Sequence, residues 1–228
     1  MDTLNSISSQ TVFPTQVIIK DGINRAEPNF IQSYRFTCTY DCSPDYGIYD
    51  GMNKALSHVS TKYVLFLNSG DRLFSAYSLE TAQDIISNNK NRDPLLLFFG
   101  WSHTGANKTY FPSISPLRFN HQAIIYSLSI HDYIGNYIHS KGFYSADYLF
   151  FYIASSRYNH ILSNYTFSCI DPTGVSSSLR TPLNVACIKY LHGDVNRFYL
   201  VLLSLLHPIV YYFKSFLFTT FSIIWPRK

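Results

Sequence analysis

Three short apolar runs, Val17-Ile18-Ile19, Val64-Leu65-Phe66-Leu67 and Leu95-Leu96-Leu97-Phe98-Phe99, constrain this chain more than any other feature. Each has the length of a strand and no polar alternation, which predicts strands buried on both faces. Between the first two, Ile48, Met52, Ala55, Leu56 and Val59 recur at helical spacing within 47–59. Between the second and third, Leu79, Ala82 and Ile86 do the same within 76–87. Strand, helix, strand, helix, strand predicts an α/β fold, a mostly parallel sheet with flanking helices. Beyond about residue 100 the pattern changes: 108–111 and 123–126 read as further strands and 146–154 as a helix.

Hydrophobic residues make up 46% of the 228 and charged residues 14%, which excludes intrinsic disorder. The net charge of +4 is too mild to indicate nucleic acid, and no clustered basic patch with interleaved aromatics supports an RNA-binding reading. Of Cys38, Cys42, Cys169 and Cys187, only the first two lie close in sequence, so neither a zinc ribbon nor a disulfide scaffold is expected; reduced thiols are. The first residues carry neither a basic region nor an apolar core, so no export signal is expected. Residues 179–228 hold six basic side chains against one acid, Asp194. Within them an uncharged run, 198–213, is followed by Lys214 and a second apolar run, 215–225, with a His207-Pro208 break in the first. Each run is shorter than the roughly 20 residues a spanning helix needs. A hairpin or in-plane helix at a membrane surface is expected, with Trp225, Arg227 and Lys228 at the headgroups. Two packed helices meeting at His207-Pro208 would read the same way.

Ligands of open parallel sheets bind beyond the carboxyl ends of strands. Two predicted strands end in carboxylates, at Asp21 and, after Asn68-Ser69-Gly70, at Asp71. Asp71 is placed to hold a hard divalent cation whose other positions go to phosphate oxygens and water; a turn or helix cap is the plainer reading of either residue. On the helix predicted over 47–59, Asp50, Asn53 and Lys54 share one face, which equally describes a solvated face with a local ion pair.

The segment Ser43-Pro44-Asp45-Tyr46-Gly47-Ile48-Tyr49-Asp50-Gly51-Met52-Asn53-Lys54, followed by Phe66-Leu67-Asn68-Ser69-Gly70-Asp71, resembles the family 2 glycosyltransferases of bacterial surface-polysaccharide synthesis, and within them the colanic-acid and O-antigen group. Phe119-Asn120-His121-Gln122-Ala123 resembles that group's H-Q-A element, Ser145-Ala146-Asp147-Tyr148 its D-Y element, and Thr173-Gly174-Val175-Ser176 its G-G-V-S loop. The resemblance covers about residues 4–177. It implies a GT-A fold over 1–178, with a donor half over about 1–100 and an acceptor half over 101–178, and leaves 179–228 as a basic, apolar, membrane-associating segment.

The resemblance also implies roles. Asp21, Asp45, Asp50, Asn53, Lys54 and Asn68 would bind or brace a nucleotide-sugar donor, a UDP-sugar in the favoured case. Asp71 would hold Mg²⁺ or Mn²⁺ on the diphosphate, and His121 and Gln122 would meet the acceptor. Asp147 would act as general base for an inverting transfer, although it could equally cap the helix that follows it. Arg180 is a further candidate for the diphosphate, though a surface arginine is the plainer reading. The implied acceptor is a polyprenyl-diphosphate-linked saccharide at the cytoplasmic face of a bacterial inner membrane. The pattern departs from the group at several points. The chain begins after the first strand of the pattern, with residues 4–10 resembling the helix that follows it. Ile23-Asn24-Arg25-Ala26-Glu27 stands where a Ser/Asp-rich turn is usual, and Gly51 replaces an alanine. Two expectations follow: a working transferase whose start is assigned too late, or an N-terminally truncated, inactive transferase remnant or membrane-bound assembly partner.

Overall fold

A computed structural model describes residues 2–22, 34–106, 108–171, 180–206 and 208. Its elements in chain order are α1 (Asp2–Ser8), β1 (Val17–Lys20), β2 (Cys38–Asp41), α2 (Ile48–Leu56), β3 (Tyr63–Leu65), β4 (Arg72–Leu73), α3 (Ser78–Ser87), β5 (Leu95–His103), β6 (Thr109–Tyr110), β7 (Ser113–Ile114), β8 (Leu117–Arg118), β9 (Ile124–Ser127), α4 (Ile130–Ile134), α5 (Ala146–Arg157), β10 (Asn159–Ile170) and α6 (Arg180–Leu191). They form two compact units, Met1–His139 with Phe150–Pro172, and Ser140–Leu149 with Thr173–Lys228.

In the first unit the three apolar runs become β1, β3 and β5. The main sheet has the order β3-β9-β5-β10-β4, with β6 added to β5. It is mixed rather than mostly parallel. β5 and β10 are parallel, but β9 runs antiparallel to both β3 and β5, and β4 antiparallel to β10. The strand expected over 123–126 is therefore present as β9, inserted against the direction of its neighbours. β1 and β2 form a separate parallel pair. β5 owes its central place to composition: Leu95 to Ser102 are all buried, as a strand covered on both faces requires. One apolar layer joins Leu97, Phe99 and Phe167 of the sheet to Ile7 of α1 and Ala82 of α3. Another is aromatic, with Tyr126, Phe150 and Phe151 meeting edge to face at ring separations of 5.3 to 5.7 Å.

In the second unit, the Ser145 hydroxyl donates to the Thr181 carbonyl at 3.4 Å and the Asn184 amide to that of Gly142 at 3.3 Å, fastening the start of α5 to α6. Residues 197–206 are helical and keep Phe198, Leu205 and other large apolar side chains exposed. No helix among the described residues is long and apolar enough to cross a membrane. The 23–27 turn, the 173–176 loop, the Arg180 side chain and the apolar run beyond 208, with Lys214, Trp225, Arg227 and Lys228, lie outside the described residues. All four cysteines are free.

Candidate functional site

The first cluster gathers where β1 and β2 end and α2 begins. Gly47, with φ of +117°, turns the chain into α2, whose Tyr49, Met52, Ala55 and Leu56 are buried. The Asp45 carboxylate accepts from the Gly47 N–H at 3.0 Å, and Asp50 reaches back to accept from the Tyr46 N–H at 2.9 Å. These bonds occupy amides that the helix start leaves without helical partners. Lys54 sits one turn after Asp50, paired with it at 2.9 Å, and donates to the Pro44 carbonyl at 2.6 Å. His139 Nδ1 stands 3.9 Å from the other Asp50 oxygen. Hydrogen bonding from Tyr46 and then from Lys54 holds the Asp50 carboxyl below the usual range and raises Lys54 in return.

Lys20, at the end of β1, is the hidden centre of this cluster. Its ammonium lies 3.9 Å from Asp41 and 3.7 Å from Asp45, and donates to the Ser43 carbonyl. The Asp41 carboxyl is held below the usual range first by its hydrogen bond from Ser43. Asp45 is wedged between two glycines. A methyl group on Gly22 would lie 2.0 Å from its Oδ2, and one on Gly51 would lie 3.2 Å away. Gly51, a departure in the sequence pattern, thus has a local cause. Asp21 accepts from the Tyr40 hydroxyl at 3.0 Å. Asn53 points elsewhere: its amide donates to the Tyr137 carbonyl at 2.8 Å and its oxygen accepts the Tyr137 N–H at 3.0 Å, so it braces α2 against a distant segment.

The second cluster gathers around Asp71, which is 3% exposed. Its Oδ2 accepts from the Gln122 side-chain amide and its Oδ1 from the Asp171 N–H, each at 2.8 Å. His121 Nε2 lies 3.4 Å from the Asn68 amide nitrogen. A short 3-10 turn, His121–Ala123, presents His121 and Gln122, and the Asn120 side chain caps it by accepting from the Gln122 N–H. The sequence-predicted residues Asn68, Asp71, His121 and Gln122 are therefore brought together. Burial pushes the Asp71 carboxyl above the usual range, and the donors from Asp171 and Gln122 oppose that push. Among the described residues no lysine or arginine pairs with Asp71. A desolvated carboxylate held mainly by neutral donors, beside a second carboxylate at Asp171, has the oxygen chemistry that suits a hard divalent cation. Among the described residues no group of three or more His, Cys, Asp or Glu side chains is spaced to hold a metal unaided.

Asp147 stands in the second unit, in the first turn of α5. Beside it in sequence, burial and then Asp194 push the Tyr148 hydroxyl up to about 12, so it stays neutral. Sequence reasoning passed over Lys20, Asp41, His139 and Asp171. Asp171 ends β10 as Asp21 ends β1, a signal hidden because β10 itself was not foreseen.

The fold that carries these clusters is a mixed α/β sheet with flanking helices. Among solved structures the chain is similar to S. aureus TarS residues 1–349 in complex with UDP-GlcNAc, at 17% identity with a TM-score of 0.64, over 87% of this chain and 64% of that one. It is also similar to the same TarS fragment in complex with UDP, at 17% identity and a TM-score of 0.62 over 87% and 63%. The chain thus spans less than two thirds of the length of these TarS chains. No protein-family model matches the sequence, and no curated protein matches it.

Proposed function

We propose that this chain is a glycosyltransferase that takes a UDP-sugar and transfers the sugar, with inversion, to a saccharide acceptor. The observation that carries this reading is a fold shared with a protein crystallised with UDP-GlcNAc, combined with carboxylates at the ends of β1 and the run after β3. In this reading Asp21, braced by Tyr40, accepts hydrogen bonds from the nucleoside, and the Lys20–Asp45–Asp50–Lys54 cluster shapes the pocket beside it. Asp71, with Asp171 near it, would hold Mg²⁺ or Mn²⁺, which neutralises charge growing on the departing diphosphate. His121 and Gln122 border the acceptor. Asp147 takes the proton of the acceptor hydroxyl as its oxygen bonds to the anomeric carbon and the bond from that carbon to the diphosphate breaks. The acceptor we favour is a polyprenyl-diphosphate-linked saccharide at the cytoplasmic face of a bacterial membrane, as in O-antigen or exopolysaccharide synthesis. Exposed apolar residues over 197–206 and the basic excess beyond 179 support contact with an anionic surface.

A second reading, a membrane-bound assembly partner that keeps the fold without transferring sugar, is favoured by the separation of β1–β2 from the main sheet. Thermal-shift titration with UDP, GDP and dTDP, with and without Mn²⁺, separates the two. Ligand at about 100 times its Kd adds about 2.7 kcal/mol to stability. A melting temperature that rises only with UDP and Mn²⁺ together supports the transferase, whereas no rise with any nucleotide supports the assembly partner.

A further inference from the structure

Asp50 stands in the first turn of α2, and each of its two carboxylate oxygens faces a different basic side chain. Oδ2 pairs with the Lys54 ammonium at 2.9 Å, and Oδ1 lies 3.9 Å from His139 Nδ1. The Asp50 side chain is 11% exposed, but those of Lys54 and His139 are 36% and 47% exposed, so both basic groups reach solvent beside a nearly buried anchor. Each keeps one nitrogen position in hand. An ammonium carries three protons. Lys54 gives one to Asp50 and one to the Pro44 carbonyl, and the third meets no acceptor among the described residues. The two nitrogens of an imidazole point to opposite sides of the ring. With Nδ1 toward Asp50, His139 Nε2 turns away from it, and no described residue bonds that nitrogen.

The same helix fixes all three members. The Tyr46 N–H, and then Lys54, hold the Asp50 carboxyl below the usual range, so it stays charged. Two residues before His139, the backbone of Tyr137 is clamped through both its N–H and its carbonyl by Asn53 of α2. The Tyr137 ring packs 6.1 Å from that of Tyr49, also on α2. Lys54 is thus placed directly, and His139 through Asn53.

Charge decides what such a cluster takes. Asp50 is the charged group of the described residues within ion-pair range of His139, with Lys54 beyond it on the same helix. The carboxylate cancels one positive charge, so the trio is neutral with a neutral imidazole and singly positive with a protonated one. An imidazole passes between these forms from about pH 8 to about pH 5. In the positive form both spare positions are N–H donors, which suits an anion that only accepts.

We propose that Lys54 and His139, held on the two oxygens of Asp50, form a phosphate-binding site that is strengthened when His139 carries a proton. This deepens the donor reading and rests on it only for the source of the phosphate, either the nucleotide or the diphosphate of a lipid-linked acceptor.

The test uses the full chain in EDTA, so that no divalent cation at Asp71 contributes. The probe is sulfate at constant ionic strength, a phosphate mimic whose charge does not change over the range in which an imidazole titrates. NMR signals of the His139 ring and the Lys54 side chain read its binding. Wild-type affinity is expected to rise about two- to fivefold from about pH 8 to about pH 5.5, the size of one partly exposed charge pair. His139→Gln keeps a polar side chain beside Asp50 but cannot gain charge, and is expected to lose the rise while matching wild type at the upper pH. Lys54→Met is expected to weaken binding at both. Equal wild-type affinity at the two pH values, an undiminished rise in His139→Gln, or shifts confined to residues outside the trio overturns the proposal. UDP, uridine and geranyl diphosphate, each compared between wild type and His139→Gln at about pH 6, then name the source. A loss for UDP but not uridine assigns the nucleotide, a loss for geranyl diphosphate assigns the acceptor, and no loss for either overturns the site. Sulfate binding requires no nucleotide, so its failure leaves the donor reading to the thermal-shift titration, and a failure there leaves the sulfate result standing.

Discussion

At the end of β1, aspartates 41 and 45 stand around the Lys20 ammonium, and Asp50 pairs with Lys54. At Asp71, by contrast, a buried carboxylate rests on a side-chain amide and a backbone N–H, and no lysine or arginine of the described residues forms an ion pair with it. The difference shows two ways to keep an acid in a fold. In the first cluster hydrogen bonds from Ser43 and Tyr46, seconded by the nearby lysines, hold the Asp41 and Asp50 carboxyls below the usual range. In the second, burial outweighs the donors from Asp171 and Gln122 and holds the Asp71 carboxyl above it.

The largest effect is expected on breaking the Asp71 side of this contrast. Asp71→Ala strands the Asp171 N–H and the Gln122 amide in a buried site, a loss of about 1–3 kcal/mol for each, read by urea unfolding. Under the proposed function the same variant is expected to abolish transfer from whichever UDP-sugar the wild type uses, and wild-type transfer by this variant would remove Asp71 from the mechanism. Asn53→Ala removes both bonds to Tyr137, each worth about 1 kcal/mol, and urea unfolding should register about 1–3 kcal/mol in all. Gly51→Ala tests the wall of the first cluster. An alanine gains about 1 kcal/mol of helix propensity, yet its methyl meets an Asp45 carboxylate already backed against Gly22. A net loss of stability is expected, and a net gain would show that Asp45 is free to move.

The two regions should also titrate in opposite order. The Asp71 carboxyl is raised in the folded state, so it binds its proton above the unfolded value of about 3.9, and its effect on stability falls as pH rises through that window. Asp41 and Asp50 are lowered, so their contribution is present above about 3.9 and is lost as pH falls through their folded values. Carboxyl carbon shifts followed by NMR should place Asp71 above Asp41 and Asp50, and the reverse order would dissolve the contrast. The smallest effect is expected from Lys54→Ala, whose ion pair is partly exposed. Its destabilisation should fade in about 1 M salt, where the Debye length is about 3 Å.

Strands buried on both faces were legible because they are continuous apolar runs; β1, β3 and β5 lie where Val17, Val64 and Leu95 begin them. The helices α2 and α3 were legible through the spacing of Met52, Ala55 and Leu56 and of Leu79 and Ala82. β10 was not, because its first half is largely exposed and its Ser163, Asn164 and Ser168 interrupt any run, although its end is fully buried beside β5. The direction of β9 was also hidden, since a four-residue buried strand carries no mark of which way it points. In the candidate site, single residues on motifs were readable, but their partners were not. Lys20 was passed over, and only the folded chain shows Asp41 and Asp45 around it. Gln122 was read with the acceptor, and the folded chain adds a bond from its amide to Asp71.

The bond from the Asp171 N–H to Asp71 joins positions 100 residues apart in the chain. Asp71 is synthesised with the first third of the protein, and its second bracing group emerges only in the last third. A nascent chain that has reached Gln122 but not Asp171 carries a carboxylate with half of that support. Contacts this distant in sequence close late and slowly. Premature termination anywhere before residue 171 would therefore leave a chain with recognisable early elements and an unfinished Asp71 site.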